Sequence, residues 1–228
     1  DPSDVPALPG YDYGVRRKGF FPPDVLADWM AFDLIFTVAC FYDADDPVAF
    51  AQAVADRLAP NGLWCVEVAD AGRMMREGGW DAICHEHLCY YDVQTFLNVC
   101  GQAGLVLHGC ERNECNGGSL RFYLRHGEPS SYQGKVPTAS TPSEWADFAA
   151  GVERSKCEIA DFLFKSKPGK VHLLGASTKA NTWLQAVGAN SQVIQAASER
   201  DRRKVGRRTP GTGIPIVSIG PTWMSVFP

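Results

Sequence analysis

Apolar residues in this chain gather into short runs separated by turn-forming residues, and the runs follow two different periods. Residues 32–42 (FDLIFTVACFY) form a continuous apolar stretch with acidic residues behind it. Such a stretch reads as a strand buried on both faces, the mark of a parallel sheet. Next, Asp45 or Asp46 can cap a helix, Pro47 suits its first turn, and apolar residues recur at helical spacing through Leu58. The PNG at 60–62 ends that helix, and 63–68 (LWCVEV) read as a second buried strand. A strand, helix and strand joined by short connections form a right-handed crossover unit.

Residues 93–105 read as a helix ending at glycine. VLHGCER and SLRFYLRH then read as two strands joined by NECNGG (113–118), a short glycine-bearing span that predicts an antiparallel hairpin. Residues 127–143 are rich in Ser, Pro, Gly and Thr, so a linker and a domain boundary are expected at 128–142. A helical stretch starts at Pro142-Ser143. After it come a strand at 170–176, a helix from Ser177 and a strand at 191–198. The pattern thus predicts an α/β protein with domains at 1–128 and 143–228, joined by a linker at 129–142.

Composition changes little in this picture. The chain has 228 residues, of which 45% are hydrophobic and 21% charged, enough to bury a core and too ordinary for disorder. No apolar run approaches the roughly 20 residues of a membrane span, and no signal peptide opens the chain. The net charge of −4 argues against a global nucleic-acid-binding field. The first residue is Asp1 within DPSD, which reads as an interior piece of a longer protein. The eight cysteines form no CxxC, and several sit in apolar runs, so a reduced, cytoplasmic protein is expected.

Four strings could carry chemistry. ICHEHLCYY (83–91) offers Cys84, His85, His87 and Cys89 as ligand types, although in a strand Cys84 would point away from the two histidines. The same string fits general acid–base work by one histidine beside Glu86, or a hydrogen-bonded surface cluster. NGGSLR (116–121) could let a backbone approach a ligand, with Ser119 and Arg121 at hand. A tight turn needing positive φ is the simpler reading. LLGASTKAN (173–181) places a glycine-led turn before a helix, with Lys179 and Asn181 on it. It could bind an anion or be a plain turn. Finally, Arg200, Arg202, Arg203, Lys204, Arg207 and Arg208 put six cations in nine residues. No aromatic residues interleave them for base stacking, so a phosphate clamp fits better than nucleic acid, beside the alternative of a solvated loop.

Taken in order, HEH-x-x-YY, GGS-x-R, GAS-x-K-x-N and TPGT-x-IPIVS resemble the S-adenosylmethionine-dependent C-methyltransferases that act on nucleotide-linked deoxysugars. The resemblance runs from Asp1 to about Ser218. It implies a class I methyltransferase domain of Rossmann type, here lacking its first strand and glycine loop, followed by a Rossmann-like C-terminal domain. The family's zinc-binding N-terminal domain is absent, so zinc is not expected in this chain, and the tail IGPTWMSVFP departs from the family pattern.

The resemblance implies a nucleotide diphosphate 4-keto-6-deoxysugar as substrate. A base removes the proton next to the ketone, and the enolate attacks the methyl group of S-adenosylmethionine. His87 is implied as that base, with Glu86 positioning the sugar or the histidine. Asp1, Phe41, Tyr42 and Asp43 are implied at the cofactor, and Tyr90, Tyr91 and Ser119 at the sugar. Lys179, Asn181, Lys204 and Arg207 are implied as the nucleotide clamp. Neither nucleic acid nor membrane is expected as a partner. Two alternatives stand beside this reading. One is a non-catalytic nucleotide-sugar-binding piece. The other is a nicotinamide-dependent sugar-modifying enzyme, for which Glu199 lies near the distance from Gly175 at which an acidic residue would hold a ribose, but the glycine pattern is missing.

Overall fold

The computed structural model describes residues 19, 21, 31–128, 132, 134–166 and 171–220. The chain divides into two compact units, residues 1–73 with 88–140, and residues 74–87 with 141–228.

The first unit is built on a four-stranded sheet. Strand β1 (Phe32–Val38) leads through helix α1 (Pro47–Arg57) into β2 (Leu58–Ala69), and the two strands are parallel. The Asp46 side chain caps α1 by accepting from Ala49 N–H at 2.9 Å, with Pro47 in the first turn. Strand β2 begins directly after α1, because Leu58 already pairs with Phe32. The PNG turn lies within it as an irregularity. Gly62 is required there, since a Cβ would sit 2.7 Å from the Phe32 carbonyl oxygen. A short helix α2 (Ala71–Glu77), which the apolar pattern did not predict, follows β2 and leads out of the unit. After the chain returns come helix α3 (Val93–Gln102) and the antiparallel hairpin β3 (Leu105–Asn113) and β4 (Ser119–His126). The sheet order is β1-β2-β4-β3.

One face of this sheet is the core. Trp64, Val66 and Val68 alternate inward on β2 and meet Leu120, Phe122 and Leu124 of β4 and Phe96 of α3. Phe96 and Phe122 stack with centroids 4.2 Å apart. The other face differs from the sequence expectation of a first strand buried on both sides. Leu34, Phe36 and Val38 are 48%, 65% and 58% exposed. On the alternate positions Ile35 packs against the core and Thr37 is buried, so one face of β1 is covered and the other is not.

In the second unit, helix α4 (Pro142–Lys165) starts from a capping box in which Thr141 and Glu144 bond reciprocally. Strand β5 (Val171–Leu174), helix α5 (Thr178–Ala186) and strand β6 (Ile194–Glu199) form a second parallel crossover. Strand β7 (Ile216–Ser218) extends the sheet in the order β5-β6-β7. Leu163, Leu184, Ile194, Ala197, Ile214 and Ile216 form the core. Trp80 belongs to the same core and donates through Nε1 to Ser155 Oγ at 3.2 Å. That anchor explains why residues 74–87 group with this unit. All eight cysteines are free thiols. No helix among the described residues is long and apolar enough to cross a membrane.

Candidate active site

In the first unit, the carboxyl end of β1 is the natural ligand end of a parallel crossover. There Ala39 takes a left-handed conformation (φ 52), unusual for a residue with a Cβ, while its N–H donates to the Glu67 carbonyl at 3.0 Å. The chain then turns through one 3₁₀ turn, Phe41–Asp43. The Phe41 ring is fully buried and lies against Trp64, Tyr91 and Phe96, with centroids 5.4–5.6 Å apart. Tyr42 is also buried, whereas Asp43 is exposed. The Tyr42 carbonyl accepts from Leu88 N–H and Cys89 N–H, at 3.0 Å each. Asp1 lies outside the described residues.

Residues 83–91 form no strand. His87 N–H donates to the Cys84 carbonyl at 3.2 Å, closing a turn with His85 and Glu86 at its exposed corner and His87 half-buried. The face-sharing that strand geometry would give His85 and His87 therefore does not arise. No group of three His, Cys, Asp or Glu side chains among the described residues is placed to hold a metal ion. His87 is the last residue of its segment of the second unit, and Leu88, peptide-bonded to it, is the residue held by Tyr42.

Tyr90 is half-buried, and the Tyr91 ring belongs to the core, 5.7 Å from Phe96. The Tyr91 hydroxyl is enclosed beside the Cys89 thiol without a well-formed hydrogen bond. Burial, and secondarily that thiol, raises the phenol far above its ordinary range. Ser119 is buried and its hydroxyl donates to the Cys115 carbonyl at 3.0 Å, which closes the NGGS turn.

Charged residues that the sequence reading did not single out, or mentioned only in passing, brace this end of the sheet. Buried Glu67 accepts from Arg121 through Nε (3.1 Å) and Nη2 (2.8 Å) and from Asn113 Nδ2 (2.8 Å). Asp70, also buried, accepts from Arg112 Nε at 2.8 Å and from Arg73 N–H at 3.0 Å, capping α2. Their signal was present in the sequence as acids embedded in or directly following an apolar strand, where a charge persists only with a partner.

In the second unit, the Gly175–Ser177 turn leads from β5 into α5. Gly175 has φ +94 and its N–H donates to the Ser198 carbonyl at 2.8 Å. Ser177 caps α5 by accepting from Ala180 N–H at 3.2 Å. Lys179 is exposed in the first turn of α5, and Asn181 is half-buried there with its Oδ1 enclosed and unpartnered. The enclosed Ser198 hydroxyl on β6 is likewise unpartnered.

The basic loop is not uniformly available to a ligand. Arg203 is forked onto Asp201, and Arg208 Nη1 donates to the Gly213 carbonyl. Lys204 Nζ donates to the Ala176 carbonyl at 3.0 Å, with Glu199 Oε2 3.6 Å away. Arg200, Arg202 and Arg207 extend exposed, and Arg207's carbonyl accepts from Ile216 N–H. The TPGT turn is satisfied internally: Thr209 and Thr212 hydroxyls are 2.6 Å apart, and Thr209 Oγ1 accepts from Ile214 N–H.

Known protein families divide the chain elsewhere, within the β3–β4 hairpin of the first unit. Residues 1–108 match the family model of a methyltransferase domain, and residues 114–221 match that of a C-methyltransferase C-terminal domain. Among characterised proteins, the chain is 26% identical over 200 residues to the C-methyltransferase NovU of Streptomyces niveus, covering 81% of this chain and 47% of that protein. The chain thus spans about half the length of that relative. Among solved structures, an O-methyltransferase of neocarzinostatin biosynthesis, NcsB1, aligns with a TM-score of 0.34 at 19% identity. That alignment covers 42% of this chain and 30% of NcsB1. The N-methyltransferase NodS of Bradyrhizobium japonicum aligns with a TM-score of 0.34 at 14% identity, over 46% and 56% of the two chains. Both likenesses cover less than half of this chain. Along nearly all of its length the chain thus matches, in tandem, a methyltransferase domain and the C-terminal domain of C-methyltransferases.

Proposed function

We propose that the protein methylates the carbon next to the ketone of a nucleotide diphosphate keto-deoxysugar, with His87 as the base. The observation that carries this reading is the Cys84–His87 turn, which half-buries His87 immediately before the two N–H groups held by Tyr42 at the carboxyl end of β1. A neutral imidazole suits proton removal from such a carbon near pH 7. His87 takes the proton, and the electron pair of the broken C–H bond is delocalised into the ketone as an enolate. Exposed Glu86 is free to orient the sugar hydroxyls or the imidazole. S-adenosylmethionine, when bound, supplies the electrophilic methyl group.

The residues at the end of β1 suit that cofactor in part. The exposed Asp43 carboxylate matches its hydroxyl and ammonium donors. The rings of Phe41 and Tyr42 are committed to the core and contribute only by shaping the turn. Tyr91 and Ser119 act in the same way: Tyr91 backs the core and Ser119 holds the NGGS turn, while half-buried Tyr90 is the residue of this group proposed to face the sugar. In the C-terminal unit, Lys179, Asn181 and Arg207 are proposed to hold the nucleotide diphosphate.

The test is His87→Asn. With S-adenosylmethionine and a nucleotide keto-deoxysugar, turnover should fall by roughly 10²–10⁴-fold while substrate affinity changes little. Solvent deuterium exchange at the sugar carbon next to the ketone should be lost with it. Exchange at the wild-type rate in the variant would remove His87 from the role.

A further inference from the structure

At the carboxyl end of β6, one carboxylate gathers two segments that are far apart in sequence. Glu199 Oε2 accepts from Ala176 N–H at 3.0 Å, in the turn before α5. Its Oε1 accepts from Arg200 N–H at 2.8 Å and Asp201 N–H at 3.2 Å, at the start of the basic loop. Lys204, at the far side of that loop, reaches back to the Ala176 carbonyl and lies 3.6 Å from Glu199 Oε2. Both polar groups of the Ala176 residue are therefore held, its N–H by Glu199 and its carbonyl by Lys204. The N–H of Gly175 is held by Ser198.

We infer that Glu199 and Lys204 form a clamp that fastens the Gly175–Ser177 turn to the 200–204 loop, so that the two proposed nucleotide-binding segments act as one rigid seat. Glu199 is a positioning residue of that seat, and Lys204 serves the clamp rather than the phosphates. The N–H of Ala176, foremost, holds the Glu199 carboxyl below its usual range, as expected of a carboxylate that accepts several backbone donors. The place that Glu199 occupies, at the end of the second strand of a parallel crossover, is where dinucleotide-binding proteins present an acid to a ribose hydroxyl. Here both oxygens already accept main-chain donors and serve the turn and loop instead. The clamp rests on the nucleotide reading only for its consequence for binding; its own bonds can be tested without a ligand.

Two measurements separate these. Amide hydrogen exchange on the 228-residue chain, with no ligand, should show Ala176, Arg200 and Asp201 exchanging together and about tenfold or more faster in Glu199→Gln, with Ile194–Ala197 unchanged. Exchange that rises at only one of the two segments would overturn the clamp. Nucleoside diphosphates, titrated one at a time, should bind about tenfold more weakly to Glu199→Gln and to Lys204→Ala, and no more than about twentyfold more weakly to the double variant, because both side chains act through one turn. In turnover assays the change should fall on KM for the sugar nucleotide and leave kcat in place. Weakening by Lys204→Ala alone, with Glu199→Gln at the wild-type affinity, would assign Lys204 to the phosphates and overturn the clamp. Coupled exchange in a wild-type chain that binds no nucleoside diphosphate would refute the nucleotide reading and leave the clamp standing.

Discussion

Gly118 lies in the NGGS turn with φ 120 and ψ 120, a conformation that residues with a Cβ rarely adopt. Its carbonyl accepts from Asp70 N–H at 3.2 Å and its N–H donates to the Cys115 carbonyl at 2.9 Å, so the backbone cannot rotate away without losing both bonds. A Cβ added there would sit 2.5 Å from Arg73 Cδ and 3.0 Å from Nε and Nη1. Gly118→Ala therefore meets two penalties of different size. The backbone penalty is about 1–3 kcal/mol, the range for residues forced into sparsely populated φ/ψ regions. The steric penalty is smaller, because the Arg73 side chain can swing aside at the expense of its pair with Glu114, whose 84% exposed carboxylate makes the pair a minor contributor. Native-state hydrogen exchange at the β3 and β4 amides reads the result directly. Gly118→Ala should raise their opening constants roughly 5- to 150-fold, the equivalent of that energy range. Removing the clash as well, in Arg73→Ala/Gly118→Ala, should recover less than half of the loss. Recovery of nearly all of it would show that the Arg73 contact, and not the backbone conformation, requires glycine at 118, and a neutral Gly118→Ala would refute both.

Further outcomes follow from other buried polar contacts. Asp92 caps α3 through Thr95 N–H and accepts from Ser140 N–H at 2.8 Å, so Asp92→Ala should lower stability by about 2 kcal/mol or more, read as a shift in urea midpoint. Burial alone would raise the Asp92 carboxyl, but the donors from Thr95 and Ser140 outweigh it and hold it below its ordinary value. Its stabilisation is thus present above the unfolded pKa and lost as pH falls through the depressed folded value. The gap between wild type and Asp92→Asn should close as the pH falls below the ordinary carboxylate range, and a gap independent of pH would rule the charge out. Trp64 Nε1 donates to buried Thr37 Oγ1 at 2.9 Å. Trp64→Phe should cost at least the ~1–3 kcal/mol of leaving that hydroxyl unpaired, and Thr37→Val in the same chain should return part of it, whereas strict additivity would show that the bond contributes nothing.

Much of the architecture was legible because it is local. The cap at Asp46, the helical spacing after it, the strands of the hairpin and the glycines of the NGGS and GAS turns are all decided within a few residues. Four strings in order carried the resemblance to C-methyltransferases that the matched domains bear out, and residues 32–38, 47–58, 93–105 and 119–126 fold largely as their patterns predict. Other features could not be read this way. The apolar run at 32–38 looks the same whether one face or two is covered, and only the packing of the Ile35 face on the core leaves Phe36 and Val38 exposed on the other. The HEH string carries no periodicity, and the bond from His87 N–H to the Cys84 carbonyl makes it a turn. Likewise, six cations in one loop look equivalent in sequence. Which of them are spent is decided by partners such as Ala176, 28 positions from Lys204, and Gly213. Periodicity and capping are short-range preferences of the backbone, so the sequence determined the elements. The fate of a charge or an apolar face depends on which distant segment arrives beside it, and that only the tertiary structure decides.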